Sequence, residues 1–292
     1  MDKRREKEAA RLFRKAKALA GEGLHEQAAA AYQQLLQLVP NHAPTWFNLG
    51  LAYKRLRRWP DSLRCNRRAA ELDPSDEAAW WNMGIAATAL HDWPAARAAW
   101  RGFGLDTPDG DGPIAGRFGS ACVRLNPDGQ AEVVWGDRLD PARARIASVP
   151  LPTSGHRWGD VVLHDGEPKG ERTVGGRKYL VFDEIERWQA SDIPTLEVQV
   201  TAPAPDDSHA LSTLLAEEDA AGEDWTESVR KICRTCSEGR PCERHGASSG
   251  DSDWQAERTF GIAALPEVAR DVLGRWAAGG PGRNFGDMSE VC

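Results

Sequence analysis

Large apolar side chains recur at a fixed interval through the first third of the chain. Trp46 and Trp80 lie 34 residues apart, as do Gly50 and Gly84, and Pro40, Pro74 and Pro108 mark three periods of the same length. Stepping back one period from Trp46 reaches Leu12. An interval of this size predicts stacked supersecondary units, each unable to bury its apolar face alone. Beyond residue 116 the pattern shifts from helical spacing to alternation. Strands are expected at 120–136 (a hairpin around Asn126-Pro127-Asp128-Gly129), 143–151, 159–166, 177–186 and 195–203. The Gly- and Asp-rich stretch 104–116 and the Pro-containing stretch 200–209 read as linkers. Helical spacing returns at 210–221, at 224–233 (with Asp224 as its cap) and at 266–280, with one strand at 258–265 and no clear order in the last dozen residues.

Segment 43–76 places Trp46, Leu49, Gly50, Tyr53, Ala69 and Pro74, and segment 77–110 places Trp80, Met83, Gly84, Ala87, Ala96, Trp100 and Pro108, in one common pattern. Segment 9–42 keeps Leu12, Ala16, Ala28, Tyr32 and Pro40. These residues resemble the tetratricopeptide repeat family. The resemblance implies three helix-turn-helix repeats stacked as a solenoid, with glycines where helices approach closely and prolines after each second helix. The expected fold class is α+β: this all-α solenoid (1–108), a β-rich domain (109–203), a small zinc-stabilised segment with helix (204–250), and a C-terminal strand and helix (251–292).

Such repeats generally bind peptides or partner proteins on the face formed by the first helix of each repeat. Carried onto this chain, that face takes Phe13 and Lys17, then Phe47, Asn48, Leu51, Lys54 and Arg55, then Trp81, Asn82, Ile85 and Thr88. An aromatic floor with a basic rim suits an acidic peptide. The same residues could instead pack against a later part of the chain.

Charge divides the molecule. Residues 1–105 carry 17 Lys and Arg against 11 Asp and Glu, whereas residues 106–292 carry 20 against 33. The acidic part argues against a general nucleic-acid binder, and six basic residues between Arg55 and Arg68 read as a solvated helix face. The absence of a long apolar run and the charged first twenty residues lead to the expectation of a cytoplasmic, bacterial-type protein without a membrane span.

Two clusters carry candidate chemistry. Cys233, Cys236, Cys242 and His245 pair as C-x2-C and C-x2-H, a closed tetrahedral set suited to structural Zn2+. A redox pair, a local disulfide or ordinary surface residues are the rival readings. In the β-rich domain His156, Asp160 and His164 are of types that transfer protons or bind metal, although a turn Asp and a surface His read equally well. The expected role is protein interaction, as an adaptor, a chaperone or an inhibitor, in one version an immunity protein for a secreted bacterial toxin. The alternative is an enzyme or ligand sensor sited in the β-rich domain, with the repeats as a targeting arm.

Overall fold

The computed structural model describes residues 3–116, 118–174, 176–226 and 254–292, which divide into two units, 1–116 and 117–292. The first unit is six helices: α1 (Lys3–Gly21), α2 (His25–Leu38), α3 (Ala43–Arg55), α4 (Trp59–Leu72), α5 (Glu77–Ala89) and α6 (Trp93–Phe103). They form three hairpins, as the interval predicts. Each helix packs on the next, and α3 also touches α1 and α5. Tyr32, Leu35, Tyr53, Ile85 and Trp100 are fully buried.

The recurrence in the sequence is a recurrence of contacts. The indoles of Trp46 and Trp80 donate to the carbonyls of Pro40 (2.7 Å) and Pro74 (3.0 Å), so each ring ties its helix to the turn before it. A methyl group at Gly50 would strike Asn66, and one at Gly84 would strike the Trp100 ring. The smallest side chain is thus placed where a side chain of the paired helix packs directly onto the backbone.

The turn inside each hairpin also repeats. Gly23, Arg57 and His91, one period apart, adopt left-handed φ angles of 77°, 54° and 59°. In each case the next amide donates back to a carbonyl five residues earlier at 2.9 Å: Leu24 to Leu19, Arg58 to Tyr53, Asp92 to Ala87. This is the Schellman closure of a helix, usually made with glycine. Only the first repeat supplies one.

In the second unit β1 (Ser120–Leu125), β2 (Glu132–Arg138), β3 (Arg143–Ile146), β4 (Val161–Val174) and β5 (Arg177–Gln189) follow one another as a meander and close into a barrel. Five strands leave the first and last running the same way, so β1 joins β5 in parallel, beginning at Cys122↔Val181. Val123, Leu125, Val134, Ala144, Ile146 and Val162 form a buried core. The turn from β2 to β3 is built by buried Asp140, which accepts from the amides of Ala142 (2.8 Å) and Arg143 (2.7 Å) and from Arg143 Nε (2.6 Å).

The strand at β6 (Thr195–Thr201) does not join the barrel with which the sequence pattern grouped it. It pairs with β8 (Glu257–Ala263) and β9 (Asn284–Glu290) in a four-stranded antiparallel sheet ordered β7-β8-β6-β9, where β7 is Ala221–Asp224. Helices α7 (Pro205–Glu217) and α8 (Pro266–Ala278) supply Leu211, Leu215, Val272, Leu273 and Trp276 to a core shared with Val198, Val200, Phe260 and Ile262.

Two expectations are corrected here. The second linker is largely the end of β6 and the start of α7, with Pro205 in the first turn and Asp207 accepting from the Ala204 amide at 2.9 Å. Asp224 ends the strand β7, where its carboxylate takes Arg258 Nε at 2.7 Å, the Ser208 hydroxyl at 3.2 Å and the Thr226 amide at 2.9 Å; from residue 227 on, the helix expected at 224–233 lies outside the described residues. Within the last dozen residues Asn284–Glu290 form the edge strand β9, whose polar side chains hide the alternation by which a strand is recognised.

The αL turns yield a pair of opposite expectations at equivalent positions. Gly23→Ala meets no neighbouring atom, so its cost is conformational only; it should lower stability by about 1 kcal/mol. Arg57→Gly removes left-handed strain from an exposed side chain and should raise stability by about 0.5–1 kcal/mol. Urea unfolding of the full chain measures both, and shifts of the same sign would refute the strain assignment.

Candidate functional site

Two places bear on function: the face of the repeat array and the polar end of the barrel. On the array face, Lys17 and Arg55 are exposed, and Phe13, Phe47, Asn48, Leu51 and Trp81 are half-buried. Trp81 stands edge-on to Trp100 (5.2 Å between centroids) and Phe103 (4.7 Å), and Phe13 to Tyr32 (6.2 Å) and His42 (5.7 Å). These ring contacts hold the aromatic floor in place while leaving part of it accessible.

Four positions mapped to that face are interior instead. Ile85 and Thr88 have no exposed surface, and Asn82 retains 6%. Lys54, at 4%, donates from Nζ to Asn82 Oδ1 at 2.8 Å, in a bond that ties α3 to α5. The physical reason is coverage: α5 packs against α3, α4 and α6, and these neighbours close over Asn82, Ile85 and Thr88. Asn48 donates to the Pro44 carbonyl of its own helix at 2.6 Å.

The barrel histidines do not form one constellation. His156 follows a short 3-10 turn, Pro152–Ser154, and is buried. Its Nε2 lies 2.7 Å from Glu184 Oε1 and its Nδ1 3.0 Å from the Ser154 carbonyl. Burial opposes charge on this ring, but the hydrogen bond and charge of Glu184 outweigh it and raise the pKa. Asp160 has no exposed surface and accepts from the amides of Ser191 (2.6 Å) and Arg157 (3.0 Å), with Arg187 3.5 Å away. Both side chains are spent on holding loops.

His164 lies on β4, apart from the other two in its contacts. It is fully buried, packs its ring 5.1 Å from Phe182, and shares Nδ1 with the Asp165 carbonyl at 2.9 Å. A carbonyl only accepts, so Nδ1 carries the proton and Nε2 is left as an acceptor. That atom has no hydrogen-bond partner among the described residues. Burial pushes this imidazole down to about 4, and the nearby Arg138 acts the same way.

Cys233, Cys236, Cys242 and His245 lie outside the described residues. Among the described residues no group of three or more His, Cys, Asp and Glu is placed to hold a metal, and no helix is long and apolar enough to cross a membrane. Cys65 and Cys122 are buried thiols, and burial pushes Cys65 up to about 12. A cleft at one mouth of the barrel, bordered by Trp135, Arg138, Tyr179 and Phe182, has no counterpart in the sequence reading. Its residues come from separate strands, and no spacing marks them.

Solved structures similar to this chain include TPR domains that cover about a third of it. No protein-family model matches the chain, nor does any curated protein. Solved structures similar to it include the second TPR of Spaghetti (RPAP3) bound to an HSP90 peptide, at 21% identity over 32% of this chain and 88% of that one, TM-score 0.31. The Sgt2 TPR domain from Aspergillus fumigatus matches at 22% identity over 33% and 64%, TM-score 0.31. The TPR2B domain of yeast Sti1 in complex with an Hsp70 partner matches at 20% over 32% and 76%, TM-score 0.31. The repeat assignment rests on the chain's own 34-residue recurrence and its six helices.

The two buried histidines give opposite pH slopes. An unfolded histidine titrates near 6.5. His164, depressed in the folded state, contributes stability that is whole above 6.5 and lost as pH falls toward 4, by about 3 kcal/mol in all. His156, raised, contributes stability that is whole below 6.5 and lost as pH climbs through its folded value. Urea unfolding between pH 4 and 8 should show a weaker acid loss in His164→Gln than in the parent chain; parallel acid limbs would refute the assignment.

Proposed function

We propose that the N-terminal unit binds an extended, acidic segment of a partner protein along the layer formed by α1, α3 and α5. The observation that carries this reading is that these three helices touch in succession and bear aromatic and basic side chains that keep exposed surface. Phe13, Phe47, Leu51 and Trp81 offer apolar contact, while Lys17 and Arg55 supply exposed positive charge. Lys54 and Asn82 act from below as a strut between helices and do not touch the ligand. An adaptor, a chaperone or an inhibitor such as a toxin-immunity protein would each use such a face. That neighbouring folds are recorded with HSP90 and Hsp70 partners accords with peptide binding in general and does not select a partner.

The test is a panel of arrayed extended peptides of acidic, neutral and basic character, probed with the full chain. Acidic peptides should be retained. Charge reversal in Lys17→Glu/Arg55→Glu should weaken them about tenfold or more, with affinity falling as salt rises. Preference for basic peptides, or indifference to the double reversal, would sink the reading.

For the Cys3His set we propose a structural zinc held by Cys233, Cys236, Cys242 and His245, on the strength of ligand type and spacing. Elemental analysis of protein purified without added metal should find about one zinc per chain, lost in Cys233→Ser/Cys236→Ser. Metal-free protein with four titratable ligands would refute it.

A further inference from the structure

The mouth of the barrel contains a cleft that the array reading does not use. It arises from strand closure. The β1–β5 ladder starts only at Cys122↔Val181. Before that point Ser120 and Ala121 stay with β2, opposite Asp137 and Gly136. Arg177–Leu180 stays with β4, opposite Val174–Glu171. The two hairpins therefore diverge, and the gap between them is a cavity of about 700 Å3.

Its walls are unlike the rest of the acidic part of the chain. Trp135 and Tyr179 meet edge to face across the gap at 4.7 Å. Phe182 borders it, with the Arg138 guanidinium 5.5 Å from its ring and His164 5.1 Å from it. Arg138, Arg177 and Lys178 line the cavity, and no carboxylate is among its described lining residues. At the rim Lys178 pairs with Glu171 at 2.6 Å, Asp137 accepts from the Ser120 hydroxyl at 3.0 Å, and Arg172 lies 5.5 Å over Trp135.

Arg138 is the informative residue. One guanidinium nitrogen donates to the Pro141 carbonyl at 3.1 Å. Its Nε is buried with no hydrogen-bond partner, and the side chain makes no ion pair among the described residues. Burial makes its charge costly, with Asp140 only partly offsetting this. A buried donor without a partner, on a half-buried cation at the wall of a cavity, points to a site completed by a ligand.

We infer that this cleft binds a small molecule joining a flat ring to an anionic group. The ring lies against Trp135 and Tyr179, and the anion meets Arg138, with Arg177 and Lys178 at the entrance. The cavity fits a ligand of nucleoside-monophosphate size. The anion can come from a phosphate or from an aromatic carboxylate, and two probes separate these sources.

The experiment titrates the full chain with adenosine 5′-monophosphate and with indole-3-carboxylate, read by calorimetry and by ligand-observed NMR. At least one probe should bind saturably below about 1 mM. Adenosine, which lacks the anion, and inorganic phosphate, which lacks the ring, should each bind about tenfold more weakly or worse. Tighter binding of the first probe assigns a phosphate ligand, and of the second a carboxylate. Arg138→Gln should cost about tenfold. Because that side chain is partly buried, the exposed double reversal Arg177→Glu/Lys178→Glu supplies the same test without threatening the fold and should weaken binding severalfold. No saturable binding of either probe, or binding unchanged in both variants, overturns the inference.

Discussion

In two hairpins of the array a side chain of the second helix packs directly onto a glycine of the first, a contact that any Cβ would block. At Gly50 and Gly84 the space that a Cβ would fill is taken by Asn66 and by the Trp100 ring. The hairpins close on that contact. Closure lets Tyr53 and Ile85 sink out of solvent, and it brings α3 and α5 near enough for Lys54 to reach Asn82. The bond joins successive repeats and so sets the spacing of Phe47, Leu51 and Trp81 along the accessible face. The face proposed for recognition thus rests on a missing side chain beneath it.

In the second unit the governing constraint is parity. A five-stranded meander ends in the direction in which it began, and its last seam is a short parallel ladder of three residue pairs, Cys122–Val181 to Arg124–Asp183. The hairpins to either side are longer than the seam and part beyond it. Aromatic side chains that would otherwise be internal then face a gap, and Arg138 is stranded between the core and solvent. The cavity is a consequence of how the sheet closes and needs no special loop.

The sequence carries the array well because the same contacts are written three times. It carries the hairpin turns poorly. Glycine marks the left-handed residue at 23, but arginine and histidine occupy the equivalent places at 57 and 91, and only the repeat interval reveals them. The barrel strands are legible as alternation, whereas pairing is not. Nothing within Thr195–Thr201 says that its partners are Arg258 and Asn284 and not the adjacent barrel. Chemistry follows the same rule. His156 and Asp160 look reactive as residue types, and their partners, Glu184 and the Ser191 amide, come from elsewhere in the chain. Arg138 looks like one basic residue among many until its burial and missing partner are seen.

The pairing of β6 with β9 also orders events in time. It joins Leu196 to Glu290, so the intervening chain must be drawn into a long loop before the sheet gains its outer strand, at an entropic cost that grows with the logarithm of loop length. The array has no comparable closure, since each helix rests on its neighbours in sequence. Topologies rich in local contacts fold faster by orders of magnitude. The helical layer of the array is therefore expected to form early, while the unit that holds the cleft is still assembling. A folding intermediate of this chain would present the face proposed for recognition before the proposed ligand site exists.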